Sequence, residues 1–396
     1  MKSRKTCEVC LESDPYEILD LGMHPMCDDL KAIDDKTLSK EYPITITFCK
    51  NCFTAHQKYQ VPKRDLFPKS YHYRSRFTGD VLSGMSNLVD SCVSILGNLE
   101  SKKVLDVGCN DGSLLNIFKK NNAITIGVEP TNAILDANKE SHILYNDYFT
   151  PELANKILID NGSIDIITFT NVFAHIEDFE SLLNSLSILI NKNTKIIIEN
   201  HYMGSVLRQN QFDTFYHEHP RTYSLKSFHA ISKRLGLNIE CVEFPKRYGG
   251  NIRVILGNNE IGDIEHFLDD ESDFENDFKK MSNFIDEWKK HKKDELLSIV
   301  NKEGPIIAKA FPGRAAILTK LLDLNTDIID STFEKPGSMK IGHYIPGSYI
   351  PIKSDNELFE KSINSKYILN LAWHIKNEIH EYLNTNGFKG RIIDIL

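Results

Sequence analysis

The sequence predicts an α/β protein with a parallel, doubly wound sheet, and three observations lead to that prediction. Apolar segments of strand length alternate with helical segments between residues 102 and 200. Two CxxC pairs precede this region, and a second alternation of apolar and helical segments follows residue 304. Such alternation is typical of parallel sheets that are covered by helices on both faces. We therefore expect three domains, which span residues 1–80, 81–260 and 261–396.

The composition narrows the class of protein and of partner. The chain has 396 residues, of which 41% are hydrophobic and 26% are charged, and these values are typical of a folded protein with several domains. Its net charge of −8 and pI near 6.0 argue against nucleic acid as a partner, because phosphate binding normally needs a basic surface. The N-terminal MKSRKTCEVC has no apolar stretch behind its basic residues, and no run approaches the roughly 18 apolar residues of a membrane span. We therefore expect a cytoplasmic protein with neither a membrane nor a nucleic-acid partner.

Four of the eight cysteines form two CxxC pairs: Cys7, Cys10, Cys49 and Cys52. Two such pairs, each on a tight turn, can direct four thiolates at one metal ion. No histidine or carboxylate interrupts the set, so no open coordination position is implied and the predicted role is structural. Zinc is the expected metal, iron is the alternative, and four unligated thiols are the remaining possibility. Disulfides are not expected in a cytoplasmic chain.

The segment after the second CxxC pair contains the predicted core. An amphipathic helix is expected from about Val81 to Leu99. Seven apolar segments follow it: KKVLDVGC, AITIGVEP, HILYND, IDIITFTNV, KIIIEN, LNIECVEF and NIRVILG. The first five have the pattern of buried parallel strands, and the last two, which PKRYGG joins, have that of an antiparallel pair at the edge. Seven strands ending in such a hairpin are typical of the methyltransferase variant of the Rossmann-like architecture.

The sequence pattern of the C-terminal third predicts a helix followed by a second, smaller α/β domain. Residues 262–302 are rich in charge, and opposite charges four residues apart indicate a long, solvated helix. From Gly304 the apolar and helical segments alternate again, beginning with PIIAKAFPGRAAILTKLLDL and ending with SKYILNLAWHIKNEIHEYL.

The loop in VLDVGCNDGSLL has the features of a ligand-binding turn. It places Asp106, Gly108 and Gly112 between the first strand and a helix, where glycines let a ligand approach the backbone. The full GxGxxG of dinucleotide sites is absent, because Asn110 and Asp111 occupy the loop. The carboxylates of Asp106 and Asp111 disfavour a pyrophosphate and suit a cationic sulfonium that carries an amino-acid tail.

Three further polar residues follow strands of the same sheet. Glu129 closes the second strand, 21 residues after Gly108, where a carboxylate can accept hydrogen bonds from both ribose hydroxyls. Asp147 follows the third strand and is placed for an adenine amino group, and Asn171 lies at the end of the fourth. Together with Asp106, Asn110 and the two glycines, they predict a site for S-adenosylmethionine. The alternative is a Rossmann-like domain whose crevice is empty or holds a nucleotide.

The stretch FDTFYHEHPRTYS concentrates titratable groups in four residues: Tyr216, His217, Glu218 and His219. His175 ends the fourth strand in NVFAHIED, and the carboxyl ends of parallel strands meet at one edge of a sheet. His217 and His219 could bind a metal ion, but Mg²⁺ prefers carboxylates and water. A polar loop without chemistry is a second alternative. Proton transfer at the acceptor site is the favoured interpretation.

The motifs resemble a known family. The four-cysteine domain, LDVGCNDGSLL, FDTFYHEH and the YGGNIRV strand are similar to those of the sugar C-methyltransferases of deoxysugar biosynthesis. The resemblance covers the chain end to end; it is tight to about residue 255 and looser beyond. It implies a substrate that is a nucleotide-linked 4-keto-6-deoxyhexose, methylated from S-adenosylmethionine, usually at carbon 3.

The resemblance also implies roles for the residues. Carbon becomes nucleophilic only after its C–H bond is ionised, and histidine is a suitable base near neutrality. By position, His219 would abstract the proton and Glu218 would contact the sugar or orient a partner. Tyr216 and His175 would hold or polarise the keto and hydroxyl oxygens. A tyrosine of SYHYRS, Tyr71 or Tyr73, would reach in from the first domain.

The chain departs from the family pattern in two places. YGGN carries Tyr248 and Asn251 where the family often has His and Ser, and AFPGR retains only Pro312 and Arg314 of a Gly-Ala-Pro-Ala-Lys/Arg turn. The first departure concerns the identity of the substrate and the second concerns how its nucleotide is held. Two alternative functions stay open, namely O- or N-methylation of such a sugar and a non-catalytic binding protein. We expect a monomer or a dimer.

Overall fold

The computed structural model describes residues 2–3, 5–12, 14–37, 39–61, 66, 74–77, 79–361 and 365–396. Tyr71 and Tyr73 lie outside these residues. The N-terminal part is built of short strands: β1 (Lys2–Ser3), β2 (Tyr16–Pro25), β3 (Glu41–Phe48), β4 (Ala55–Gln57) and β5 (Tyr59–Gln60). Strands β2, β3 and β4 form an antiparallel sheet, and β1 pairs with β5 in a separate ribbon.

A seven-stranded sheet forms the centre of the molecule. Helix α1 (Gly79–Leu96) precedes it, two residues ahead of its predicted start. Its strands are β6 (Lys103–Val107), β7 (Ile124–Val128), β8 (Ile143–Tyr145), β9 (Ile166–Thr170), β10 (Lys195–His201), β12 (Asn238–Glu243) and β13 (Asn251–Gly257). Their order is β12-β13-β10-β9-β6-β7-β8, with five parallel strands and β13 antiparallel to both of its neighbours. The predicted sheet and its closing hairpin are confirmed.

Helices cover the faces of this sheet, and side-chain caps fix where several of them begin. They are α2 (Ser113–Lys120), α3 (Pro151–Asn161), α4 (Phe179–Leu189), α5 (Met203–Arg208) and α6 (Leu225–Leu235). Thr150 and Asp178 accept hydrogen bonds from backbone amides at the starts of α3 and α4, and Ser224 forms a capping box at the start of α6.

The two-residue strand β11 (Arg221–Thr222) follows the YHEH motif but belongs to the N-terminal sheet. It pairs antiparallel with β4, Arg221 opposite His56 and Thr222 opposite Ala55. This strand could not be predicted from the sequence, because two residues carry no recognisable period. It ties the segment that holds the titratable groups to the four-cysteine part of the chain.

The charged segment forms two helices, α7 (Glu265–Asp269) and α8 (Phe274–Glu303), and the prediction of a solvated helix was wrong for one face of α8. That face is buried and has the apolar spacing of an amphipathic helix. The rings of Phe278 and Phe48 are 5.6 Å apart, and Trp288 lies 5.1 Å from Phe212 and donates its indole N–H to the carbonyl of Ile395. Helix α8 therefore contacts the N-terminal sheet, the segment before YHEH and the C-terminal strand.

The C-terminal part is a smaller α/β domain, as predicted, and its strands pair in parallel. Its elements are β14 (Ile306–Lys309), α9 (Ala315–Leu321), β15 (Ile329–Glu334), β16 (Ile352–Ser354), α10 (Asp355–Lys361), β17 (Tyr367–Asn370), α11 (Lys376–Thr385) and β18 (Arg391–Asp394). The strand order is β16-β15-β14-β17-β18. Within the described ranges, none of the helices combines the length and the apolar character that crossing a membrane requires.

Candidate active site and metal centre

The four N-terminal cysteines converge, as the CxxC spacing predicts. The Sγ atoms of Cys7 and Cys52 are 3.5 Å apart, those of Cys10 and Cys49 are 3.6 Å apart, and all four lie within 4.8 Å of one another. Tetrahedral ligands at the usual Zn–S distance of about 2.3 Å are about 3.8 Å apart. Four thiols at this spacing fit a structural zinc ion, and the cluster is almost wholly buried.

The loop after β6 has the backbone that its glycines and Asn110 predict. Gly108, Asn110 and Gly112 all have positive φ angles, of 78°, 49° and 75°. A Cβ atom on Gly108 would lie 2.5 Å from the side chain of Val172, so this position also needs glycine for packing. The loop is thereby held tightly against the end of β9.

Asp106 and Glu129 form a buried acidic pair next to this loop. Burial, aided by the charge of Glu129, raises the pKa of Asp106 to about 7, although a hydrogen bond from Thr168 opposes the shift. Buried carboxyl groups are stabilised in the ionised form by a nearby cation. The sulfonium of S-adenosylmethionine is such a cation, so these residues fit the expected cofactor.

Glu129 also has a structural role that its sequence position did not reveal. Its two oxygens accept hydrogen bonds from the backbone amides of Asn110 and Thr131, at 3.1 and 2.9 Å. Each oxygen keeps a second lone pair, which a ribose hydroxyl can use. The short 3₁₀ turn Ser75–Phe77 covers the loop, because the amide of Ser75 donates to the side chain of Asn110.

The two remaining cofactor candidates follow the ends of β8 and β9, which β6 and β7 separate in the sheet. Asp147 is exposed and accepts a hydrogen bond from the next backbone amide. Asn171 has a φ of 54°, donates its backbone N–H to the carbonyl of Glu199 and accepts a hydrogen bond from Asn251. Their positions agree with the predicted edge of the sheet, and their roles stay predictions.

Replacing Glu129 with Ala is expected to weaken the binding of S-adenosylmethionine by about 1–3 kcal/mol, because ribose hydroxyls would lose a charged acceptor. Calorimetry on the purified protein measures this. Glu140→Ala, a change of the same residue type at an exposed position, serves as the matched control and should bind normally. Unaltered affinity in a well-folded Glu129→Ala protein would remove Glu129 from the site.

The YHEH motif lies on an irregular segment between α5 and β11, beside the end of β9. The rings of His175 and His219 are 4.6 Å apart, and the rings of Tyr216 and His219 are 4.1 Å apart. His201, at the end of β10, lies 5.6 Å from His219. The structure thus brings together the residues that the strand ends predict, and adds one.

Hydrogen bonds define the protonation pattern of two of these imidazoles. Nδ1 of His219 lies 3.0 Å from the carbonyl oxygen of Thr214, and Nδ1 of His175 lies 2.7 Å from that of Glu218. Because a carbonyl only accepts, each Nδ1 carries the proton. Nε2 of neutral His219 therefore has the lone pair, and it accepts a hydrogen bond from the Tyr216 hydroxyl at 3.0 Å.

Burial sets the charge of the cluster. Desolvation lowers the pKa of His219 well below its ordinary value, and it lowers the pKa of His175 to about 4 and that of His201 to about 3. All three imidazoles are accordingly neutral near pH 7. His219 is already a proton acceptor at that pH, although it is a weaker base than its ordinary pKa suggests.

Glu218 has the opposite shift. Burial, and then the charge of Asp28, raises the pKa of Glu218 to about 8, so the carboxyl group is mainly protonated at pH 7. Both of its oxygens are buried without a hydrogen-bond partner of good geometry in the described ranges, and the backbone amide of Cys27 is close to them. An unsatisfied buried carboxyl group is costly, and a polar ligand group would satisfy it.

His217 does not join the cluster. Its Nε2–H donates to the carbonyl of Tyr42 in the N-terminal sheet at 3.1 Å. Among the described residues, the four cysteines are the only set of three or more His, Cys, Asp or Glu that could share an ion. This arrangement does not favour the alternative in which His217 and His219 hold a metal.

Sequence reasoning did not single out His201 or Arg221. His201 is the last residue of β10 in IIIENHY and lines a cavity of about 10 Å³, room for about one water molecule, together with Thr214 and His219. Arg221 is fully buried, forms an ion pair with Glu8 at 2.5 Å and donates to the hydroxyl of Tyr223. The position of His201 at a strand end is a signal that could have identified it.

Three family models match consecutive parts of the chain. A zinc-binding domain matches residues 7–67, a methyltransferase domain matches residues 81–242, and a C-methyltransferase C-terminal domain matches residues 246–393. The C-methyltransferase NovU of Streptomyces niveus is 26% identical over 96% of this chain and 93% of its own. A ubiquinone biosynthesis O-methyltransferase of Coxiella burnetii is 31% identical over 25% of this chain and 43% of its own.

Solved structures also resemble the chain. The magnesium protoporphyrin IX methyltransferase of Synechocystis with bound S-adenosylmethionine is 17% identical, covers 46% of this chain and 82% of its own, and has a TM-score of 0.33. A methyltransferase of Archaeoglobus fulgidus that depends on the same cofactor is 16% identical over 43% of this chain and 93% of its own, with a TM-score of 0.35.

Proposed function

We propose that this chain is an S-adenosylmethionine-dependent C-methyltransferase that methylates a carbon next to the keto group of a nucleotide-linked deoxysugar. The observation that carries the proposal is the lone pair on Nε2 of His219, beside the hydroxyl of Tyr216 and the ring of His175. A neutral base with oxygen-binding groups around it is what ionisation of a C–H bond beside a ketone requires.

His219 accepts the proton in the proposed reaction. As the C–H bond breaks, its electron pair moves to the keto oxygen and gives an enolate, and Nε2 becomes protonated. The new imidazolium keeps its Nδ1–H on the carbonyl of Thr214, so the ring need not turn. S-adenosylmethionine, when bound, would supply the methyl group to the enolate carbon, with its S–CH₃ bond breaking and the neutral thioether leaving.

Tyr216 and His175 act on the oxygens. The hydroxyl of Tyr216 donates to Nε2 of His219 before substrate binds. When it turns to donate to the keto oxygen of the bound sugar, it frees the single lone pair of Nε2 for the proton. Nε2 of neutral His175 accepts a hydrogen bond from a sugar hydroxyl, because its Nδ1–H is committed to the carbonyl of Glu218. The protonated carboxyl group of Glu218 can donate to a second sugar oxygen.

The proposed class of sugar, and the carbon that is methylated, are inferred from the motifs. FDTFYHEH and YGGNIRV are similar to those of enzymes that act on 4-keto-6-deoxyhexoses, which favours carbon 3. The negative net charge argues against nucleic acid as the substrate. We propose that the substrate binds between the central sheet and the C-terminal domain.

The experiment is analysis of the product by NMR. The protein is incubated with carbon-13 methyl-labelled S-adenosylmethionine and a nucleotide-linked 4-keto-6-deoxyhexose. A label bonded to a ring carbon supports the proposal. A label on oxygen or nitrogen would instead support O- or N-methylation, and cofactor binding without turnover across such sugars would support a binding protein.

A further inference from the structure

A carboxylate just before the YHEH motif is bound by two residues of the C-terminal domain. Nε of Arg314 lies 2.7 Å from Oδ2 of Asp213, and Nη2 lies 2.7 Å from Oδ1. The indole N–H of Trp373 donates to the same Oδ2 at 2.9 Å. Asp213 is completely buried and the side chain of Arg314 is 10% exposed, so this is a desolvated, bidentate ion pair.

The two donors come from neighbouring strands of the C-terminal sheet. Arg314 precedes α9 in the loop that follows β14, and Trp373 begins the 3₁₀ turn that follows β17. β14 and β17 are adjacent and parallel, so both loops lie at the same edge. The guanidinium of Arg314 also lies 5.1 Å from the ring of Trp373, which holds the two donors together.

Asp213 is one residue from the atom that orients His219. It belongs to the 3₁₀ helix Phe212–Thr214, and the carbonyl of Thr214 accepts the Nδ1–H of His219 at 3.0 Å. The hydrogen bond on one ring nitrogen decides which tautomer histidine adopts. If the 3₁₀ helix shifts, this carbonyl moves and Nδ1–H loses its acceptor.

We propose that the Asp213–Arg314–Trp373 group is a positioning device, through which the C-terminal domain holds His219 in the tautomer that leaves Nε2 free to accept a proton. The proposal rests on the proposed function in one respect, that His219 is the base. None of the three residues needs to touch substrate. The catalytic histidine is on the central domain, and its orientation depends on two loops of a different domain.

A buried ion pair by itself is weak support for more than structure, because many such pairs only replace water contacts. The separation of the paired residues along the chain supports a positioning role. Residues 213 and 314 are 101 positions apart, whereas residues 213 and 214 are adjacent. The position of the loop that carries Arg314 therefore affects the position of the Thr214 carbonyl. A positional error of about 1 Å at a catalytic group can cost about 10²-fold in rate.

Three variants test the proposal. Arg314→Met removes the charge and both hydrogen bonds, Arg314→Lys keeps the charge and loses the fork, and Trp373→Phe removes only the indole N–H. The lysine variant matters because the charge of Arg314 also helps to lower the pKa of His219. A change seen with lysine therefore reports geometry rather than charge.

The matched control is Lys320→Met. Lys320, on α9, forms an ion pair with Glu41 of the N-terminal sheet at 2.6 Å, which is also a contact between the C-terminal domain and another part of the chain. It makes no contact with the 3₁₀ helix among the hydrogen bonds of the described residues. If all contacts between domains mattered equally, this variant would behave like the Arg314 variants.

The primary readout is the nitrogen-15 NMR spectrum of the imidazoles in the substrate-free protein, with His219 assigned by comparison with His219→Asn. We expect the native protein to show one nitrogen of His219 protonated and one unprotonated, and Arg314→Met and Arg314→Lys to show averaged tautomers. The second readout is kinetic: a fall in kcat of about 10²-fold with KM little changed. Trp373→Phe should give a smaller effect in the same direction.

Unaltered His219 signals and unaltered kcat in a folded Arg314→Lys protein would overturn the proposal and leave the ion pair as structural support. If Arg314→Met does not fold, Arg314→Lys and Trp373→Phe carry the test. The spectrum needs no substrate, so it separates this proposal from the proposed function. Averaged tautomers together with normal proton abstraction in His219→Asn would mean that positioning is correct and the base is wrong.

Discussion

His219→Asn is expected to abolish two activities together, exchange of the sugar α-proton with solvent deuterium and methyl transfer. Each should fall by about 10²–10⁴-fold, the usual cost of losing a general base. Asparagine keeps the approximate size of the side chain and can donate to the carbonyl of Thr214, but it has no titratable nitrogen. The exchange is measured by NMR in D₂O with a nucleotide-linked 4-keto sugar and without the methyl donor, because proton abstraction and methyl transfer are separable steps.

The matched control is His217→Asn. His217 is two residues away and is also buried, but its Nε2–H donates to the carbonyl of Tyr42, and among the described residues no hydrogen bond joins it to the imidazole cluster. It should retain exchange when thermal unfolding shows that the variant is folded. Tyr216→Phe and His175→Asn should slow both steps less than His219→Asn, since Tyr216 only stabilises charge on the keto oxygen and His175 only holds a sugar hydroxyl. Normal exchange in His219→Asn would assign the base to another of these residues.

The pH dependence of the activity follows from the protonation of His219. A base must be unprotonated to act, and burial lowers the pKa of His219 well below its ordinary value. Activity should therefore show no acidic limb near the usual histidine value of about 6.5 and should fall only at lower pH. A limb in the ordinary range would mean that substrate binding restores much of the basicity of His219.

The central sheet and the metal cluster could be predicted because residues close together in the sequence carry the signal for each. Each parallel strand is a buried apolar segment bounded by polar residues, and each CxxC turn brings two thiols together within four residues. The meeting of His175 with the YHEH segment followed from topology, since strand ends of a parallel sheet share one edge.

Features that depend on tertiary contacts were not predictable in this way. The pairing of Asp213 with Arg314 joins residues 101 positions apart, and strand β11 is too short to show a period. The low pKa of His219 arises from burial by several parts of the chain, which no local pattern encodes. The charge pattern of α8 likewise concealed an apolar face that packs on three neighbours.

The second large effect is expected from the metal centre, where Cys49→Ser should lower the free energy of unfolding by several kcal/mol. Structural zinc contributes roughly 10–16 kcal/mol of binding free energy in zinc-finger peptides, and loss of one thiolate removes a part of it. Metal analysis of the native protein should give about one zinc per chain. Cys241→Ser, at a half-buried cysteine on β12 outside the cluster, is the matched control and should keep its zinc.

Loss of zinc in Cys49→Ser should also disturb the proposed active site. Glu8, between the first two ligands, forms an ion pair with Arg221 of β11, and the carbonyl of Cys52 accepts hydrogen bonds from Ser224 and Ser227 at the start of α6. Both metal-binding turns therefore support the segment that directly follows His219. Cys49→Ser should lose zinc, melt at a lower temperature and lose methyl transfer at temperatures where the control is active. Well-folded native protein that contains neither zinc nor iron would show that the four thiols are not a metal centre.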